Sequence, residues 1–157
     1  QYGSLFIGNL SFSKCFESQT NFKVNKVIDV LKVILDKNLE CDNLTPFKHL
    51  LKAFGNMCLI RNCSELILDE RFCSNLIKFS EKVDIMTGYD EKKGKHIKLL
   101  LDLVSNLAKN KDKLNLLHQC KITLLTSTLL ETTEASHTEL IASCIDSIDA
   151  MCQDPNI

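Results

Sequence analysis

A short triplet returns along this chain at nearly constant intervals. It reads Gly8-Asn9-Leu10 in LFIGNLSFSK, Gly55-Asn56-Met57 in KAFGNMCLIR and Ser105-Asn106-Leu107 in DLVSNLAKNK. Asn9 and Asn56 stand 47 residues apart, and Asn56 and Asn106 stand 50 apart. A degenerate fourth copy, Ser147-Ile148 in CIDSIDAM, follows Asn106 by 41 residues. Self-similarity at such a period, on a helical pattern, predicts a stacked array of helical units, each burying its apolar face against the next. Arrays of this kind present long continuous surfaces and act by recognition more often than by catalysis.

Nearly every segment reads as helix. Thr45-Pro46 supplies a capping hydroxyl and then proline at the first helical position. Asn62-Cys63-Ser64-Glu65 and Ser136-His137-Thr138-Glu139 have the form of capping boxes, and Asp112 is placed to cap another start. The pattern predicts helices over Asn25–Lys37, Glu65–Leu68, Arg71–Phe79, Lys113–His118 and Cys120–Leu130. Each Asn triplet closes a helix of about fifteen residues. The expected fold is all-α, one domain over 1–157. Its units fall at approximately 1–12 (partial), 13–60, 61–110 and 111–152. Leu51, Phe54, Leu100, Leu103, Leu107 and Ile145 are the expected core between units. The interval of 50 includes Thr87–Lys95, charged and holding Gly88 and Gly94, which reads as an exposed loop that either tolerates insertion or touches a partner.

Composition narrows the function. The chain has 157 residues, 45% of them hydrophobic, with only five Gly and two Pro, so it is long and apolar enough to fold. A formal net charge of −1 gives no nucleic-acid footprint, and no apolar run approaches a membrane span. Neither nucleic acid nor a membrane is therefore an expected partner. The chain does not begin with Met and starts in mid-motif, which points to a piece of a longer protein. Its eight cysteines include no Cys-x-x-Cys. Cys58, Cys73, Cys120 and Cys144 lie in apolar helical stretches, where cysteine acts as a small hydrophobe. Cys58 and Cys63, five apart, fall on different faces of a continuous helix. The expectation is free thiols, no metal site, no cofactor and a reducing, cytoplasmic setting, with the cytoskeleton and centrosome as candidate locations.

Within the long third helices one column stays polar at i, i+4, i+8. It is Lys48-Lys52-Asn56, then Lys98-Asp102-Asn106, then Glu139-Ser143-Ser147. Stacked, these trios predict a polar stripe of mixed charge. The candidate partner-binding residues are Asn9, Lys52, Asn56, Lys98, Asp102, Asn106, Ser143 and Ser147. The plain alternative is that the stripe is the wet face of each helix, with asparagine bridging locally.

The segments Leu99–Glu131 and Lys48–Phe79, with Gly/Ser-Asn-Leu/Met late in a third helix, resemble the armadillo repeat. The resemblance implies a right-handed superhelical stack of about three to four short repeats, whose third helices line a groove for an extended peptide or a helix. It also implies that the groove asparagines, here Asn9, Asn56 and Asn106, hydrogen-bond the ligand backbone. Peptide-binding importin-alpha-like members carry Trp one turn before the Asn. This chain has Leu5, Lys52 and Asp102 there, which argues against a nuclear-localisation signal as ligand. The uneven periods resemble HEAT-like or scaffold-type members, and the last unit is similar to repeats of rotatin-like centriole proteins.

Catalytic patterns are weak. His118 and Cys120 are two apart and face different sides of a helix. No phosphate-cradling glycine loop or nucleophile elbow is present. Asp69-Glu70 and Asp90-Glu91 fall in connections, where solvation is expected. The expected function is a non-enzymatic interaction module for a protein partner. Two alternatives stay open. One is a compact Bcl-2-like bundle with a central buried helix that binds an amphipathic helix. The other is self-association through the terminal repeats, as in an assembly domain of a cytoskeletal or centriolar scaffold.

Overall fold

The regular spacing of apolar residues decides where the helices form and which side of each turns inward. The computed structural model describes residues 24–40, 45–60, 63–83 and 91–152. Among these residues every regular element is helical. In chain order they are α1 (Val24–Leu39), α2 (Thr45–Met57), α3 (Cys63–Ile67), α4 (Glu70–Lys82) and α5 (Glu91–Ala108). A 3₁₀ turn (Lys111–Lys113), α6 (Leu114–Gln119), α7 (Ile122–Thr132) and α8 (Thr138–Cys152) follow. In α1 the buried residues are Val24, Ile28, Leu31, Leu35 and Leu39, a stripe at three- and four-residue spacing.

Two tiers result. Helix α4 packs against α1 and α7 in one tier, and α5 packs against α2 and α8 in the other. Contacts between α1 and α2, and between α7 and α8, join the tiers. The short α3 and α6 fill the joints, α3 against α1 and α6 against α7. At the second joint Lys121 adopts φ 62°, the one left-handed non-glycine residue among those described. That conformation costs an L-residue about 1–2 kcal/mol, and it reverses the chain sharply between α6 and α7.

Aromatic rings occupy the centre of the first half. Phe47 and Phe79 stack at 4.9 Å, and Phe54 meets Phe72 edge-on at 4.8 Å. Leu51, Phe54, Leu100, Leu103 and Leu107 are buried as the pattern predicts. Ile145 is not: it is 51% exposed, and the buried face of α8 is Leu140, Cys144, Ser147 and Met151. Neighbouring positions differ by about 100° around a helix. In a segment as apolar as α8, pattern alone does not choose between Cys144 and Ile145.

Other expectations are corrected locally. Glu91–Lys95 is not a loop but the start of α5, with Gly94 buried; lysine and glutamate are good helix formers, and charge does not oppose a helix. Residues 84–90 and Asn62 lie outside the described residues. Asp112 does not cap: neither the 3₁₀ turn nor α6 has a side-chain cap. Asp69, expected in solvent, caps α4 by accepting from the Phe72 N–H at 2.7 Å. It also pairs with Lys32 of α1, whose Nζ donates to the Leu66 carbonyl at 2.8 Å. Asp36 of α1 takes both Arg71 and the buried Asn75 amide of α4.

Cys58 and Cys63 do not share a helix. Helix α2 ends at Met57, and Cys63 opens α3 after a turn. Burial, with Cys63 close by, pushes the Cys58 thiol up to about 12. Burial pushes Cys144 up to about 11. Cys73 is raised by burial and by the adjoining Cys120 thiol. The six described cysteines are free thiols; Cys15 and Cys41 lie outside the described residues. No helix among the described residues is long and apolar enough to cross a membrane.

Candidate functional site

The tier formed by α2, α5 and α8 carries an open cleft of about 370 Å³. It gathers Lys52, Asn56, Asp102, Asn106, Ser143 and Ser147, six of the eight candidate residues, from three helices. Lys98 stands outside the lining, and Asn9 lies outside the described residues. The floor between the polar groups is apolar, from Leu51, Leu99, Leu101 and Leu103.

The polar columns do not lie flat along this cleft. Residues four apart are offset by about 40° around a helix, so a column at i, i+4, i+8 turns by about 80°. Each trio therefore runs inward. Lys48 and Lys52 are exposed and Asn56 is half-buried; Lys98 and Asp102 are exposed and Asn106 is half-buried. Glu139 is exposed, Ser143 half-buried and Ser147 fully buried.

Two of the inner members, Asn106 and Ser147, join helices. The Asn106 Nδ2 donates to the Gly55 carbonyl of α2 at 3.3 Å, and its Oδ1 accepts from Lys109 at 2.8 Å. The Ser147 hydroxyl reaches the Leu101 carbonyl of α5 at 3.0 Å and the Ser143 carbonyl at 2.8 Å. Ser147 is thus corrected from a partner-binding residue to a packing one: it has no exposed surface to offer. A buried hydroxyl needs such partners, and a serine on an otherwise apolar face is the sequence signal for this role.

The outer members set the electrostatics. Lys98 Nζ sits 3.0 Å from the Glu139 carboxylate, linking α5 to α8 across the cleft's rim, and this pair raises the Lys98 pKa. Asp102 has its pKa raised by burial and by Asp146, against a lowering from Lys98. Asp146 lines the cleft and was missed by the reading at four-residue spacing. It follows Ser143 by three residues, the other spacing that shares a helix face. At the α2 end, burial and the charges of Lys48 and Lys52 lower the His49 pKa. The charges that line the cleft are unlike from helix to helix: Lys52 on α2, Asp102 on α5 and Asp146 on α8.

A second depression, about 410 Å³, lies between α1 and α4 around Asp36, Arg71, Ser74, Asn75 and Lys78. Its central charges are paired across it, Arg71 and Asn75 both meeting Asp36, so it reads as a joint between helices. His118 Nδ1 shares a hydrogen bond of 2.7 Å with the Thr123 hydroxyl, which orients the ring within the α6–α7 joint. No group of three His, Cys, Asp or Glu is placed to hold a metal ion among the described residues. Compared with protein-family models, with curated proteins and with solved structures, the chain gives no match.

Proposed function

We propose that this chain is a non-enzymatic interaction module, an armadillo-like stack that holds an extended segment of a partner protein in the cleft of α2, α5 and α8. The observation that carries the reading is the convergence of Lys52, Asn56, Asp102 and Ser143 from three helices on one open cleft. The order of packing, α1 with α4 with α7 and α2 with α5 with α8, supports repeated units better than a bundle around a central helix. So does α5, which keeps Lys95, Lys98 and Asp102 exposed along its length.

Asn106 and Ser147 set the spacing of the helices that form the walls. Lys52, Asn56, Asp102, Asp146 and Ser143 face the ligand. An amide both donates and accepts, so Asn56 suits a ligand backbone, and the unlike charges of α2 and of α5 and α8 fix the ligand's direction.

A phage-displayed library of random 12-residue peptides, selected on the whole chain, tests this. Enriched peptides are expected to lose at least tenfold in affinity to the Lys52→Ala/Asn56→Ala/Asp102→Ala variant, with its thermal midpoint near that of the parent. Peptides that bind parent and triple variant equally would overturn the reading.

A further inference from the structure

Two helices at opposite ends of the packing order carry exposed stripes that match in spacing and complement each other in charge. On the outward side of α1 stand Lys26, Val30, Val33 and Lys37, separated by four, three and four residues, and all four are exposed. Val30 and Val33 are 54% and 48% exposed, although the rest of α1 buries its aliphatic residues well. On α8, Thr138, Ala142, Ile145 and Asp149 have the same separations and are likewise exposed, Ile145 at 51%. Residues at this spacing fall on one side of a helix and span about 16 Å along it.

We propose that α1 of one copy of this chain packs on α8 of another, so that the protein associates head to tail. The two valines meet Ala142 and Ile145, the apolar centre of each stripe. The four–three–four spacing reads the same in both directions. Whichever way the helices run, a lysine of α1, Lys26 or Lys37, comes to Asp149, while Asp146 beside the stripe adds to the acidic side. Asp29 lies next to the α1 stripe and opposes this attraction in part, which disfavours α8 against any register that slides it toward Asp29.

A contact between unlike faces leaves each copy with one face unused, so association continues along a row instead of stopping at a symmetric pair. The patch is small, and the association is correspondingly weak.

Sedimentation of the full chain over a range of concentrations is the test. The weight-average mass is expected to rise with concentration for the parent and to stay at one copy for Val33→Glu and for Ile145→Glu. An equimolar mixture of these two variants is expected to form a dimer and nothing larger, because only one intact α1 face and one intact α8 face remain. A parent that stays at one copy throughout, a variant that assembles like the parent, or a mixture that stays at one copy would each overturn the proposal. Should either apolar substitution disturb the helices, as circular dichroism would reveal, the charge pair decides. Lys26→Glu/Lys37→Glu and Asp149→Lys each lose association alone, and the proposal fails if mixing them does not restore it.

Discussion

Between α2 and α4 the interior is built on aromatic rings, and between α7 and α8 it contains none. Phe47, Phe54, Phe72 and Phe79 are all fully buried, and two close ring contacts join α2 to α4. Outside them, Lys32–Asp69, Arg71–Asp36 and Asn75–Asp36 tie α1 to α4. The second half relies on aliphatic side chains and on hydroxyls, some bonding within their helix and some across to a neighbour. Thr126 donates to the Ile122 carbonyl, Ser147 to Leu101 and Ser143, and Thr123 to the Met151 sulfur at 3.6 Å. Two all-helical halves are thus held by different means. Packed helices demand filled volume and paired polar groups, and leave open which residues supply them.

The comparison is tested most severely by truncating its largest parts. Phe79→Ala is expected to cost about 3–5 kcal/mol and Leu129→Ala, from the aliphatic half, about 2 kcal/mol, read from urea unfolding at neutral pH. Equal losses, or a larger loss for Leu129, would break the contrast. The polar ties come next. Asn75→Ala strips the buried partner from Asp36 and is expected to cost about 1–3 kcal/mol. Ser147→Ala should cost about 1 kcal/mol or less, since its hydroxyl adds to carbonyls of regular helices. Reversal of that order would mean that the second half depends on its buried hydroxyl more than the first depends on the amide bond between α4 and α1.

The smallest expected effect is in the pH dependence, where the halves differ in sign. Burial works to raise the Asp69 carboxyl, but hydrogen bonds from Lys32 and the Phe72 N–H, and the charges of Lys32 and Arg71, together hold it below its ordinary value of 3.8. Its contribution to stability is present above that value and lost as pH falls through the lowered one. Asp102 is raised above 3.8 by burial and Asp146. Its contribution is complete below 3.8 and lost as pH rises through the raised value. Asp69→Asn should flatten the loss of stability in acid, and Asp102→Asn should leave the protein slightly more stable at neutral pH. A series of denaturant midpoints from pH 3 to 7 separates the two.

Much of this was legible in the residues. The helices over Arg71–Phe79 and Cys120–Leu130 lie within α4, or across α7 and the residues before it, because apolar periodicity reports directly on a buried stripe. The cleft was legible as a column, since side chains four apart remain neighbours on a helix. Depth along the column was not. Whether Asn106 or Ser147 meets solvent depends on how closely α5 approaches α2 and α8, a distance set by packing between residues some fifty positions apart. Asp69 was misread in part for a related reason: Lys32 becomes its partner only once α1 lies on α4, although its cap to the Phe72 N–H, three residues on, is a local signal. Ile145 failed because α8 is apolar on more sides than it buries.

The placement of the rings also makes the molecule optically lopsided. The chain has no Trp, and after Tyr89 it has no aromatic residue at all. Among the described residues every phenylalanine belongs to α2 or α4. Phenylalanine absorption from the described helices therefore comes from α2 and α4, and α5 to α8 contribute none of it. If α7 and α8 were to loosen while α2 and α4 held, the contribution of Phe47, Phe54, Phe72 and Phe79 would barely change although backbone absorption recorded the loss. A tryptophan placed at exposed Leu124 of α7 would give the dark half a voice of its own.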